Sequence, residues 1–293
     1  MKLIGALYDA SSFAKISPFV EEVVVYSSDF SSFFMKGLST EEILKIVKNT
    51  NKEIIINLEF MFENEEESRL TSFIEQFIPF DNVSFLVSDL GVFQILKEKG
   101  KASKTIYNPN TLITNEFDLN FYHSVGAKAA ALSLEITVAD QAKILAKKEG
   151  QAFMEVFGYH LMFHSKRPLV SLYQEFLGKE VKIDNYHSYL VEQTRNDKYH
   201  IYESKRGTGL FRPYVVSYFT NLDELKALDY AFVSNLFIDE ADYLTILEVF
   251  HSYLNGATMK EDGLNKLNSL HLKYEDGFKY QDTIYQKEKV CTR

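Results

Sequence analysis

Cysteine is almost missing from this chain. Its 293 residues contain one, Cys291. One cysteine forms no intramolecular disulfide and supplies no four-thiolate zinc or iron–sulfur site. Cys291 itself reads as a tail residue without a role. Tryptophan is absent, so 24 Phe and 18 Tyr carry the aromatic load. Most of them must fill core, with some Tyr left for binding surfaces. An excess of positive charge is lacking too: 32 basic against 41 acidic residues leave −9. That balance argues against a DNA partner or general nucleic-acid coating, though not against a local basic patch. No stretch approaches the roughly 20 apolar residues of a membrane span. The opening run Met1–Leu7 is too short for a signal-peptide core. A cytoplasmic protein with no membrane partner is the expectation. No G-x-G-x-x-G follows an early strand, which counts against a dinucleotide fold.

What is present is rhythm. Short apolar runs rich in β-branched residues recur at 2–7, 22–26, 53–58, 83–87, 105–108, 129–133, 152–157 and 230–238. Near-continuous hydrophobicity suits strands covered on both faces. Amphipathic runs separate them. Ser39 and Glu42 form a capping box, and Ile43, Ile46 and Val47 give the helix after it an apolar face. Further helices are expected at 65–78, 92–99, 116–125, 137–148, 240–254 and 259–270, several stopped by a following glycine. Eight strands alternating with helices predict a TIM-like (β/α)8 barrel in one domain, 1–293. A doubly wound open sheet is the alternative. About 158–229 breaks the rhythm as an insertion after the seventh strand. Lys198–Ser204 and Leu210–Phe219 flank Lys205-Arg206-Gly207-Thr208-Gly209, which reads as a hairpin. From Tyr159 to Tyr214 nine basic and six acidic residues give +3 within a chain of −9. Helices and a tail are expected over about 240–293.

Barrel chemistry gathers past the strand C-termini. Asp9, Glu59, Asn108, Glu135, Glu155 or His160, and Asn235 are placed there. The carboxylates either do acid–base work or cap the following helices. Met154 to Pro168 is the densest segment. It holds Glu155, Tyr159, His160, His164, Ser165, Lys166 and Arg167. His160 and His164 share a face if that stretch is helical. H-E-x-x-H is absent, so no metal site is assigned. The histidines are either hydrogen-bonded structural groups or part of an anion or substrate site. Lys166 and Arg167 can hold a phosphate or carboxylate, or stand as an ordinary exposed pair. Ser165 lacks the G-x-S-x-G elbow of a serine nucleophile.

At this segment the chain resembles peptidase family U-32, the collagenase-like peptidases. The family carries Glu-x-Phe-x-His-Gly-Ala-Leu-Cys and then Ser-Gly-x-Cys. Glu155 and Phe157 match directly, and Ser165 matches after a short gap. Phe163 stands where the first cysteine would be and Pro168 near the second. Tyr107-Asn108-Pro109-Asn110-Thr111-Leu112-Ile113-Thr114-Asn115 resembles the family's Asn-rich strand end. Leu132-Ser133-Leu134-Glu135 resembles its block ending in Arg-Glu. Tyr202-Glu203 with Gly207-Thr208, and Gly277-Phe278 with Thr283-Ile284-Tyr285, resemble later stretches.

The resemblance implies more than the residues alone. Many members hold an iron–sulfur cluster through four cysteines; this chain has no such set, and no cofactor is expected beyond a small carboxylate ligand. It is similar to the short, cysteine-poor paralogues that occur beside a longer member in the tRNA-hydroxylation branch. That branch makes 5-hydroxyuridine at the tRNA wobble position, in a pathway linked to prephenate. The implied partners are tRNA and a longer cysteine-bearing homologue. Glu155, His160 and His164 become the candidate catalytic groups. Asn108, Glu135, Tyr159, Ser165, Lys166, Arg167, Glu203, Lys205 and Arg206 become the candidate substrate contacts. Two alternatives stay open: a collagenase-like peptidase, and a non-catalytic subunit of a heteromeric complex.

Overall fold

The computed structural model describes residues 1–194 and 196–281. Thr283-Ile284-Tyr285, Cys291 and Arg195 lie outside the described residues. Eight strands lie parallel: β1 (Lys2–Ala6), β2 (Glu22–Tyr26), β3 (Glu53–Leu58), β4 (Val83–Val87), β5 (Thr105–Tyr107), β6 (Ala129–Ala131), β7 (Gln151–Gly158) and, after an insertion, β13 (Tyr230–Val233). Each pairs with the next, β7 with β13 and β13 with β1, so the sheet closes into a TIM-like barrel. Val23, Val24 and Val25 of β2 and Ile54, Ile55 and Ile56 of β3 are inaccessible to solvent. Burial on both sides is what makes these strands unbroken apolar runs.

Outside the strands lie α1 (Phe13–Ile16), α2 (Thr40–Lys48), α3 (Glu67–Glu75), α4 (Leu90–Glu98), α5 (Glu116–Ser124), α6 (Val138–Lys147), α8 (Glu240–Leu254) and α9 (Lys260–Ser269). Ser39 and Glu42 form the expected capping box of α2. The N-terminal end of the barrel is closed by charge. Lys128 Nζ reaches Glu22 at 2.9 Å and Glu53 at 3.3 Å, and donates to Ser84 Oγ at 3.2 Å. The opposite end is left open for a site.

The insertion builds a second, antiparallel sheet ordered β8-β11-β10-β9. Its strands are β8 (Leu161–Ser165), β9 (Tyr189–Val191), β10 (Lys198–Ser204) and β11 (Gly207–Phe211), with α7 (Leu169–Phe176) after β8. The short β12 (Val216–Ser217) then pairs antiparallel with the end of β7, beyond the last residue paired with β6.

Several elements differ from expectation; the strand expected at 129–133 ends at Ala131 and the helix expected at 65–78 is Glu67–Glu75. The hairpin's second strand is Gly207–Phe211, not Leu210–Phe219, and its turn is just Lys205-Arg206. Gly207 takes φ +112°, and a Cβ there would lie 2.0 Å from the Ser165 carbonyl, so a glycine is needed where β8 and β11 meet. The eighth barrel strand ends at Val233 instead of 238, because Phe237 turns to φ +61°. The segment holding His160 and His164 is extended, not helical, so the two do not share a helical face.

Candidate active site

At the C-terminal mouth of the barrel lies a cavity of about 420 Å³. Its floor comes from strand ends: Asn57 on β3 and Glu59 just after it, Asn108 after β5, Glu155 on β7 and Ser234 after β13. Its cover comes from the insertion, through Tyr159, Leu161, His164 and Phe211, with Phe33 from the loop before α2. Barrel geometry aims the polar ends inward, and the insertion shuts out much of the water.

Two carboxylates dominate. Glu59 accepts from Asn57 Nδ2 at 2.6 Å and from Asn108 Nδ2. Burial nevertheless pushes its pKa up to about 7, with the two amides opposing the shift. Glu155 accepts no hydrogen bond among the described residues. Burial, reinforced by the charge of Glu59, pushes its pKa up to about 8. Moving two like charges out of water has this effect. Glu155 folds back over the backbone at Gly158, where a Cβ would come within 2.2 Å of its Oε1. The glycine of Phe157-Gly158-Tyr159 thus makes room for the carboxylate.

His164 lies between the Phe33 and Phe60 rings, at 5.3 and 5.4 Å. Its desolvation lowers its pKa, with the nearby charge of Lys166 adding to the effect. Tyr159 packs edge-on against His200 at 4.7 Å. His160 turns away into an adjoining hollow of about 80 Å³, which Glu135 also lines. There burial, then the charge of Arg212, lowers its pKa to about 3, so it is neutral.

The other sequence candidates are dispersed. Lys166, Lys205 and Arg206 surround a third hollow of about 280 Å³. Each has an acidic partner: Glu63 at 2.5 Å, Asp29 at 3.0 Å and Glu66 at 2.6 Å, respectively. Arg206 is buried, its guanidinium 4.9 Å from the rings of both Phe60 and Phe62. Glu203 is buried and accepts from Val170 N at 2.7 Å and Thr208 Oγ1 at 3.1 Å, tying the start of α7 to the small sheet. Ser165 Oγ accepts from the Arg167 backbone, and the Arg167 side chain is exposed. Asp9 caps the short helical turn 10–12, and Asn235 is buried with an unpartnered Nδ2. Among the described residues no cluster of three His, Cys, Asp or Glu side chains suits a metal ion. No described helix is long and apolar enough to cross a membrane.

Sequence reasoning passed over Asn57, Ser234 and Arg212. Asn57 carried a signal, as the one polar side chain inside an otherwise apolar strand run, Glu53–Leu58. Arg212 carried none beyond its charge.

A parallel barrel with a carboxylate pair and a cavity at its C-terminal mouth belongs to the class of α/β barrels whose open end is suited to binding a small group. The model of peptidase family U32 matches residues 21–281, and the chain belongs to that family. It is similar to tRNA hydroxylation protein P2 of Bacillus subtilis (strain 168), 25% identical over 272 residues, covering 84% of this chain and 86% of that one. The crystal structure of 3-hexulose-6-phosphate synthase matches 53% of this chain and 79% of its own, at 15% identity and a TM-score of 0.35.

Proposed function

We propose that this protein assists 5-hydroxylation of the tRNA wobble uridine, together with a longer family partner. The observation that carries the reading is the alignment with a protein named for tRNA hydroxylation over 86% of that protein's length. The site gives the reading its chemistry. A cavity of about 420 Å³ is large enough for a flipped-out pyrimidine nucleoside. Phe33, Phe60, Tyr159 and Phe211 offer aromatic faces for stacking, and Asn57 and Asn108 offer amides beside Glu59. Glu155 is poised to exchange a proton near neutral pH, where acid–base catalysis works best. His164 orients the base from the cover. Lys166, Lys205 and the exposed Arg167 meet phosphates flanking the target, with Arg206 and Glu203 holding that surface in shape. Replacing C5–H by C5–OH is a two-electron oxidation, so the reaction requires a two-electron oxidant and an oxygen donor from outside this chain, whose own part is to hold the base and exchange the C5 proton. With a single cysteine in this chain, any cysteine-held redox centre belongs to the partner.

The test is deletion of the gene followed by mass spectrometry of tRNA nucleosides. Loss of 5-hydroxyuridine derivatives, restored by the wild-type gene and not by Glu155→Gln, is expected. Unchanged nucleosides would sink the proposal. The peptidase reading rests on the same carboxylate pair, which can act on an amide as acid and base. Purified protein that cleaves gelatin, with cleavage lost in Glu155→Gln, would favour it instead.

A further inference from the structure

We propose that the small hollow beside the main cavity is an anion site, in which Arg212 grips a carboxylate or phosphate whose parent molecule extends into the main cavity. Arg212 follows β11, and its backbone N–H donates to the His160 carbonyl at 3.0 Å. Its guanidinium is held without being neutralised. Nη1 donates to the Tyr214 hydroxyl at 2.7 Å, and the Phe278 ring lies 4.7 Å away. No carboxylate pairs with it among the described residues. Arg206, by contrast, is stacked and also paired with Glu66. An arginine oriented on aromatic faces, with donors to spare, is suited to bidentate capture of a carboxylate or phosphate.

The second observation is independent. His160 is 5% exposed, lines the same hollow, and its Nε2 has no hydrogen-bond partner among the described residues. A buried polar nitrogen left unmet is costly, and a ligand can relieve that cost. Asn110 and Thr111 complete a polar wall. Glu59, Asn108 and Glu155 belong to both cavities, so one molecule can span them. Three acids face the hollow: Glu59, Glu135 and Glu155. Burial raises the pKa of Glu155 to about 8 and that of Glu59 to about 7, which lowers the negative charge these two acids set against a bound anion near neutral pH.

The anion has two sources: the phosphate of a nucleotide seated in the main cavity, or the carboxylate of a free small molecule. Titration calorimetry with uridine 5′-monophosphate, uridine, benzoate and inorganic phosphate separates them. A monophosphate that binds at least tenfold tighter than uridine indicates the first source, and benzoate binding tighter than the monophosphate the second. In either case Arg212→Gln weakens the anion at least tenfold and leaves uridine unchanged, while Arg212→Lys falls between. Should the variants fold poorly, phenylglyoxal labelling of wild-type protein, read by peptide mass spectrometry, gives the same answer: bound anion protects Arg212. Equal binding by folded Arg212→Gln, or no binding and no protection by any of these anions, overturns the proposal. Loss or retention of 5-hydroxyuridine in a deletion strain does not bear on this result.

Discussion

The barrel and the outer part of its insertion, α7 and β9, bury their apolar residues to opposite degrees. Strands β2 and β4 are buried at every position, whereas α7 buries none and β9 is exposed throughout. Leu172, Tyr173, Phe176 and Val191 all stand in solvent. The barrel has a core of its own, and the insertion leans on it. The site lies where they meet, with acid–base groups from the rigid part and cover from the part with fewer contacts. Such a division suits a site that must stay aligned and still admit a large substrate.

The comparison can be broken first at the core. Phe157 is inaccessible and packs on Phe250 and Tyr274, at 5.8 and 6.1 Å. Phe157→Ala should cost about 3–5 kcal/mol and lower the melting temperature of the whole molecule. A purely local effect would show that the barrel is not one cooperative unit. Next comes the carboxylate pair. Glu155→Gln should reduce the proposed activity about 100-fold, as loss of an acid–base group does. It should also alter the dependence of stability on pH. Carboxyls whose folded pKa is raised stabilise the fold below their ordinary value of 4.5 and lose that contribution as pH rises through about 7 and 8. Wild type should therefore weaken across that window. Glu155→Gln should weaken less and be more stable by on the order of 2 kcal/mol at about pH 9. His160 has the opposite sign, and its contribution is lost as pH falls from 6.5 toward about 3.

Smaller effects belong to the insertion. Glu203→Gln weakens the charge-assisted bonds to Val170, Ser171 and Thr208. A loss of about 1–3 kcal/mol is expected, confined to α7. Hydrogen exchange should speed up at the first turn of α7 while the global melting temperature barely moves; an equal fall in both would erase the distinction between the regions. The smallest effect is at Lys205, whose ion pair with Asp29 is open to solvent. Lys205→Ala should change stability by only about 0–1 kcal/mol in a thermal melt.

Much of the fold was legible in the chain. The runs 22–26, 53–58 and 83–87 coincide with strands, and 240–254 with a helix, because each has a strong local period or propensity that packing reinforces. The count of strands suggested a barrel over an open sheet, and the pairing of β13 with both β7 and β1 decided its closure. Glu155 stood out by its motif and Glu59 by its place at a strand end. The insertion was legible in part: β10 was read with its observed bounds, whereas β8, β9 and α7 bury no residue and so carry no burial pattern. That is why β8 and α7 went unrecognised; the hairpin's second strand was misplaced because its first three residues, Gly207-Thr208-Gly209, read as turn.

By itself the sequence determined an eight-strand α/β architecture, a single cysteine, and a dense polar segment after the seventh strand. Local hydrophobic periodicity and residue counts suffice for those. Only the tertiary structure decided which polar residues work together. It sent His160 and His164 to different cavities although four positions separate them, and it joined Glu59 to Glu155 across almost a hundred. It engaged Glu203 and Arg206 in holding the insertion and left Arg212 without a counter-ion among the described residues. Charge pairing and desolvation depend on neighbours in space, and no spacing along the chain records them.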